Sequence, residues 1–575
     1  MTGTPLFIHI GPDGCGEERL ARLFRRNGHP ALCHDTGRLA EDILFAQATG
    51  TAPLARWPGT VLFAGLWRHA PHWRPPLEAW RQVAWLAGRF PQARFILTTR
   101  ASGDWIAERL TREGGAVARC HAHHRTCAVT DLPDLWAADW ADHRAAVGAV
   151  LGDDPRLIRV DLDRETPADL ARRLGPLLPL ADPGPESWLA SSDPLSTLPP
   201  APPAGTGRAP AGCAAEPVDP AYVADVAGFC LGTLRPVAGP DGGLSEHFCA
   251  WDGRRAVTDR HNRPRRMAIL PDGSGAVSAP GRPFKLIRAE GAITDALRLG
   301  RAMPLRIDME DSRWFGAPQG EALSAPVLCH NRRTGARNAV LWPLPDQHAI
   351  GLPGFDDAPP DPIPWEDKRD RVVWRGMISG SEQTGGVRPG PAAHAILRQL
   401  AQAGNDPAAR QAAWARLCRT NRLAFVRRWW GHPDFDLGVV MAWGYRDFAR
   451  DPLLAPFCAP RRDRAFFRQF RYQLCLTGYD HGSNFIGAID GRSVLLKEED
   501  GWEVFYSGRF QPWKHYIPLE RHCGDIAQKL AWARAHPRDC QAMATAARAE
   551  AALLRRPATR RAILARILDG LAAAG

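Results

Sequence analysis

Apolar residues in the first 182 positions come in short runs set between longer stretches with helical spacing. Leu6–Ile10, Val61–Ala64, Arg94–Thr98 and Leu157–Val160 read as strands. Glu17–Asn27, Leu77–Gly88, Ser102–Leu110 and Pro167–Leu174 read as helices. That alternation predicts a doubly wound α/β domain built on a parallel sheet. Residues 183–217 lose the pattern and turn to Pro, Ala, Ser and Gly, which predicts a spacer with little to place in a core. Periodicity returns in 218–364, where Phe284–Arg288, Leu305–Ile307 and Val327–Leu328 read as strands. A further α/β region, 365–575, opens at Trp365–Arg371 and the strand Val372–Trp374.

The clearest pattern lies in Arg471–Leu519, in the order strand, turn, helix, strand, loop, strand. Tyr472–Leu476 is a buried strand and Thr477–Asn484 (TGYDHGSN) a polar turn with Gly478 and Gly482. Phe485–Ile489 is a short helix that Ser483 could cap, and Ser493–Leu496 is the next strand. Such a turn aims backbone N–H groups into a crevice at strand ends, where phosphate binds well. Gln541–Leu571 reads as helical with a break near Pro557, and Arg555, Arg556, Arg560 and Arg561 cluster around it. A solvated basic face and a peripheral contact with a membrane surface are both compatible with that cluster.

Length then bounds the picture: 575 residues exceed one core, so several domains are expected. The net charge of +11 is almost all arginine, since the lysines are only Lys285, Lys368, Lys497, Lys514 and Lys529. This balance suits anionic partners, and it equally suits a GC-rich bacterial genome that spells basic residues as Arg. No basic stripe with aromatic platforms is present, so nucleic acid is not an expected partner. Thirteen scattered cysteines without CxxC pairs argue against a disulfide framework. The start MTGTPLFIHIGPDG lacks the basic and long apolar regions of a signal peptide, and a cytoplasmic chain is expected.

Candidate chemistry in the first region centres on HIGPDGCGEERLARLFRRNG, which sits where a phosphate-binding loop would lie. With FILTTRASGDWIAERL (Arg100, Trp105) and LWAADWADH (Trp140), it resembles the bacterial sulfotransferases. The resemblance implies a P-loop-like domain, but a degenerate one. The loop lysine falls on Gly14, the paired threonines on Glu17 and Glu18, and an expected serine on Glu108. Two carboxylates at a helix start repel phosphate, and no lysine replaces the missing cation, although Arg19 or Arg22 could. RCHAHHRTC, with Cys120, His121, His123, His124 and Cys127, has zinc-ligand types but no finger spacing, and reads as a solvated loop.

Further along, Arg375–Gly376 in VVWRGMISG, the turn GYDHGSNF, RSVLL and PWKHYIPLE followed by Asp525 occur in fixed order. Together they resemble glycosyltransferase family 90 over roughly the last three-fifths of the chain. The resemblance implies a GT-B pair of Rossmann-like subdomains, 218–364 on the acceptor side and 365–575 on the nucleotide-sugar side. It implies inverting transfer from a nucleotide-sugar, usually UDP-linked, with no cofactor and no required metal. The acceptor would be a hydroxyl on a saccharide, a lipid-linked saccharide or a protein. In LRIDMEDSRW it places the catalytic base on Asp311, with Asp308 and Glu310 as rivals. Arg375, Gly376, Asp480, Gly482, Ser483 and Asn484 would hold the nucleotide's diphosphate. Glu503 would accept from a ribose or else be a surface carboxylate. Met377 stands where the family usually has Ser and removes a possible phosphate contact, and Asn484, where eukaryotic relatives carry Arg and bacterial-like ones resemble the Asn form, leaves less positive charge.

Overall fold

A computed structural model describes residues 5–69, 73–182, 188, 218–352 and 360–574. Its contacts divide the chain into two compact units. The first joins Met1–Glu216, Cys249–Pro304 and Pro353–Phe355; the second joins Pro217–Phe248, Leu305–Leu352 and Asp356–Gly575. Most of the predicted spacer lies outside the described residues. Trp188 within it is described, and it is buried in the first unit's core, where a spacer residue would not be.

The first unit is built on a five-stranded parallel sheet in the order Ala31–Cys33, Leu62–Ala64, Phe7–His9, Arg94–Thr99, Leu157–Asp161. Successive residues feed opposite faces, as the strand period of two requires. Phe7 and Ile96 enter one core with Leu20, Phe24 and Trp136, while Ile8, Phe95 and Leu97 enter another with Ile43 and Trp80. A sheet covered on both faces needs such continuous apolar strands.

Three expectations for this unit give way to the structure. RCHAHHRTC is no solvated loop: Ala116–Arg125 is a helix, and Cys120 and His121 are buried in it. Leu77–Gly88 is not one helix, because Leu77–Glu78 pairs antiparallel with Trp67–Arg68 and the helix is Val83–Arg89. Phe284–Arg288 is not a strand but the start of the helix Phe284–Arg298. Ala289, Ala292, Ile293 and Ala296 are buried along it at helical spacing.

The division also departs from the boundary read at 218. The hairpin Met267–Ile269 and Ala276–Ser278 sets Ala268 and Val277 into the core of Ile43 and Leu44. The helix Phe284–Arg298 is locked to the same unit by Glu290, which is fully buried and bonded to Arg74 Nε at 2.9 Å and Arg68 at 3.3 Å. Glu41 completes this buried group at 2.7 and 2.8 Å from the same two arginines. Breaking one member of such a group leaves an uncompensated charge, so 249–304 is held firmly to the first unit.

The second unit carries one parallel sheet and the parallel strands of another. One is five-stranded, in the order Phe435–Val439, Arg369–Gly376, Phe470–Cys475, Val494–Glu498, Ile517–Leu519. The other includes Pro304–Ile307, Val327–Cys329 and Ala339–Leu341, in that spatial order. A short antiparallel ladder pairs Arg332 with Glu503 and Arg333 with Trp502. The expected break in the last helical stretch falls between the helices Pro537–Leu554 and Pro557–Ala574. Among the described residues no helix is long and apolar enough to cross a membrane.

Candidate functional site

In the five-stranded sheet of the second unit, the chain leaves Arg369–Gly376 toward Phe435–Val439 on one side and returns to Phe470–Cys475 on the other. The C-terminal ends of Arg369–Gly376 and Phe470–Cys475 therefore frame a topological switch point, the usual ligand crevice of an open α/β sheet. Glycine is required here for close approach. A Cβ on Gly478 would lie 2.6 Å from Ser379 Oγ, and one on Gly482 would lie 2.5 Å from Cys475 Sγ. The crevice holds a cation that the sequence reading missed, Arg422. Its Nε donates to Thr477 O at 3.1 Å and its Nη2 to Leu476 O at 2.9 Å. Its Nη1 donates to Met377 O at 3.3 Å and to Ser379 Oγ. Burial lowers its pKa, and the negative charges of Asp480 and Glu498 work against that.

Arg375 ends its strand as expected, but its guanidinium pairs with Asp436 and donates to Asp436 O at 2.7 Å and Trp374 O at 2.9 Å. It also lies over the Phe466 ring. Arg375 is thus neutralised by the neighbouring strand. Gly376 follows it where a Cβ would lie 2.5 Å from the Trp374 ring. Ser483 does not cap a helix. The helix is only Phe485–Ala488 with no side-chain cap, and Asn484 turns back so that Nδ2 donates to Leu474 O at 3.0 Å. So short a helix contributes little dipole. Glu503 accepts from Arg332 Nε at 2.7 Å across the short ladder, so one of its oxygens is held within the protein and the side chain is half-buried.

The acidic run after the strand Pro304–Ile307 separates its three carboxylates. Asp308 is fully buried and accepts from Ser245 N at 2.7 Å, Ser245 Oγ at 2.8 Å, Glu310 N at 3.2 Å and Arg313 at 3.3 Å. It is an anchor for the loop, with both oxygens occupied. Glu310 pairs with His247 at 2.6 Å and accepts from Asp311 N at 3.0 Å. Asp311 keeps 30% of its side chain exposed and lies 3.7 Å from His330. The following residue, Ser312, adopts φ +56°, a left-handed conformation costly for a non-glycine, and its hydroxyl donates to Tyr479 O. Strain and anchor together aim Asp311 at the GYDHGSN turn.

His330, missed in the sequence, joins these pieces. It is buried, with Nε2 3.0 Å from Asp480 and 3.7 Å from Asp311, and Asn331 Nδ2 lies 3.2 Å from the same Asp480 oxygen. One ligand atom from each of Asp311, His330 and Asp480 falls within 4.8 Å of the others, a spacing that could hold a metal ion. The strand-loop signal LCHNRR contains His330 and Asn331, but nothing in its spacing points to Asp480. Neighbouring aromatics include Trp314 and Trp502, which flank Arg333 at 4.8 and 4.9 Å.

The first unit's corresponding crevice is filled differently. Asp13 is fully buried and meets Arg112 at 2.7 Å, His69 at 2.9 Å and Arg109 at 3.2 Å. Burial pushes its carboxyl up, but Arg109, His69 and Arg112 outweigh that and hold it well below the carboxylate range. Glu17 accepts from Gly14 N at 2.9 Å, and Arg100 pairs with Glu108 at 2.6 Å. His121 lies 3.3 Å from Arg109, and burial with that charge keeps it neutral.

A sheet crevice with a half-buried arginine and an acidic loop outlines a candidate site. Comparison makes it specific: residues 461–552 match the model described as glycosyl transferase family 90, so the C-terminal region carries a family 90 domain. A stretch of 78 residues is 28% identical to Protein O-glucosyltransferase 3 of Mus musculus, covering 14% of this chain and 16% of that protein. Protein O-glucosyltransferase 2 of Danio rerio is 28% identical over 80 residues, with 14% and 16% covered. The matches thus span about a sixth of these relatives' length. The matched region contains the GYDHGSN turn and Glu503, while Arg375, Arg422 and Asp311 lie outside it.

Proposed function

We propose that the second unit transfers a sugar from a UDP-linked nucleotide-sugar to an acceptor hydroxyl with inversion at the anomeric carbon. The observation that carries this reading is Asp311, the most exposed carboxylate of its loop, held beside His330 and Asp480. Its carboxylate takes the acceptor's proton as that oxygen attacks the anomeric carbon and the bond to the diphosphate breaks. The diphosphate lies at the switch point, where Arg422 supplies positive charge and the glycines allow backbone approach. Asp480 and His330 position the base, and Asp308 holds its loop. The GT-B pairing of subdomains, a cytoplasmic location at the membrane surface and a role in bacterial lipopolysaccharide or surface polysaccharide synthesis belong to the same proposal. The Arg- and Ala-rich composition supports its bacterial part.

The first unit, in this reading, is a decayed sulfotransferase-like domain. Asp13 and Glu17 stand in the loop where a donor's phosphate would need cations. Purified protein incubated with a panel of nucleotide-sugars tests the proposal, with nucleotide release and the anomeric configuration of the product read by NMR. Release with inversion is expected, and a retained configuration or no release across the panel contradicts it. The spacing of Asp311, His330 and Asp480 favours one second reading, metal-assisted transfer. Activity that vanishes with chelator and returns with manganese selects that reading; activity indifferent to chelator selects the metal-free one.

A further inference from the structure

A concentration of arginines in the first unit lies away from its sheet crevice. The strand Ala276–Ser278 ends in the turn Ala279–Pro280–Gly281–Arg282–Pro283, and the helix Phe284–Arg298 begins at once. Gly281 has φ +75°, where a side chain would be strained and would come within 3.3 Å of Arg56 Nη2. Arg56 reaches this turn from another part of the unit and donates to Pro280 O at 2.7 Å. Arg266 is brought alongside because its carbonyl accepts from Ala279 N at 2.9 Å.

Arg282 is surrounded by like charge. Burial and then Arg266, Arg56 and Arg265 push its pKa down, and its Nε is buried without a hydrogen-bond partner. Among the described residues neither Arg266 nor Arg282 makes an ion pair. Asp42 is the carboxylate whose charge reaches both Arg56 and Arg266, but it is buried and accepts from Leu54 N at 2.5 Å. The helix itself has Pro283 at its N-cap and no side-chain cap. Fifteen residues give it a full dipole, positive at this end.

Among the described residues no carboxylate pairs directly with Arg56, Arg266 or Arg282, so their guanidiniums remain available to an anion. We propose that this turn binds a doubly charged phosphate group, as a phosphate ester or a pyrophosphate. Planar guanidiniums on Arg56, Arg266 and Arg282 offer paired N–H donors that match phosphate oxygens, and the helix end adds favourable potential. The site is separate from the donor crevice of the second unit and does not depend on the reading given for it. The phosphate is carried either by a soluble ester or by a lipid headgroup, and the chemistry recognised is the same.

The full-length protein tests this in two arms, beside Arg56→Gln/Arg282→Gln, a substitution pair whose side chains make no ion pair in the fold. Inorganic pyrophosphate at saturating concentration is expected to raise the parent's Tm by roughly 2–4 °C. Most of that rise is expected to be lost in the double variant. Vesicles of phosphatidylcholine with and without phosphatidic acid form the second arm. Sedimentation of the parent, but not the variant, with the acidic vesicles assigns the phosphate to a headgroup; a pyrophosphate shift without sedimentation assigns it to a soluble ester. Both results support the site. Equal behaviour of parent and variant in both arms overturns it, including a common shift that would come from the donor crevice alone.

Discussion

The two units each present a parallel sheet with a switch point, and they fill it with opposite charge. In the first, between Phe7–His9 and Arg94–Thr99, the buried carboxylate of Asp13 sits among Arg109, Arg112 and His69. In the second, between Arg369–Gly376 and Phe470–Cys475, the half-buried guanidinium of Arg422 sits among backbone carbonyls. An anion-binding crevice works only while its cations lack an internal partner. The first unit has supplied that partner from its own chain and is closed by it. The second leaves a positive charge that, among the described residues, no directly paired carboxylate cancels. In the proposed reading, one topology thus supports a structural core in one place and a ligand site in another, and the charge at the strand ends separates the two.

The sharpest break between the units is expected from their carboxylates. Asp311→Asn should fold and bind UDP as the parent does while turnover falls by about 10²–10⁴, the span for loss of a general base. Unimpaired turnover would move the base elsewhere, and Asp308→Asn distinguishes a reassigned base from a loosened loop by its Tm. Asp13→Asn should do the reverse. Turnover per folded molecule is expected to hold, but stability should fall by about 3–5 kcal/mol, because Arg109 and Arg112 keep their buried charge without a counterion. Denaturant unfolding reads this directly. A loss under about 1 kcal/mol would show that Asp13 is not what closes the crevice.

Much of this architecture was legible in the sequence, and the failures have physical causes. The strands Phe7–His9, Leu62–Ala64, Arg94–Thr99 and Phe470–Cys475 could be read because strands covered on both faces must be apolar at consecutive positions. Phe284–Arg298 was misread because its opening residues, Phe-Lys-Leu-Ile-Arg, alternate like a strand, and its helical face shows only over the full length. Ala116–Arg125 was missed because histidine and arginine look solvated, whereas His121 is buried against Arg109 and Trp136. Of the residues gathered at the candidate site, Asp311 and Asp480 lie in motifs that the sequence singles out. Arg422 does not: its role comes from carbonyls on two strands distant in sequence.

Between the two cations of the second crevice, the larger effect on nucleotide binding should belong to Arg422. Arg422→Met removes a charge with no paired carboxylate and is expected to weaken UDP by about 1.5–3 kcal/mol in calorimetry. Arg375→Ala should cost less than about 1 kcal/mol, because Asp436 already neutralises its guanidinium. The opposite ranking would mean that the Arg375–Asp436 pair opens to grip the diphosphate.

A last expected effect concerns pH and again divides the units. Buried carboxylates of the first, such as Asp13 and Glu290, are held below their usual range because burial is outweighed by paired arginines. Asp500 in the second unit goes the other way, pushed up to about 7 by burial and by Glu498. Its Oδ1 is buried without a hydrogen-bond partner, and Arg333 stands 3.9 Å away. Since the folded value lies above the unfolded one of 3.8, the native state holds the extra proton. The stabilisation is fully present below about pH 4 and is lost as pH rises through about 7. Asp500→Asn keeps the shape without the titration. It should therefore unfold like the parent at pH 4 but be more stable at pH 8 by about 1–2 kcal/mol, a fraction of the full linkage because solvent and neighbours relax. Parallel unfolding curves at the two pH values would show that Asp500 ionises freely in the folded protein.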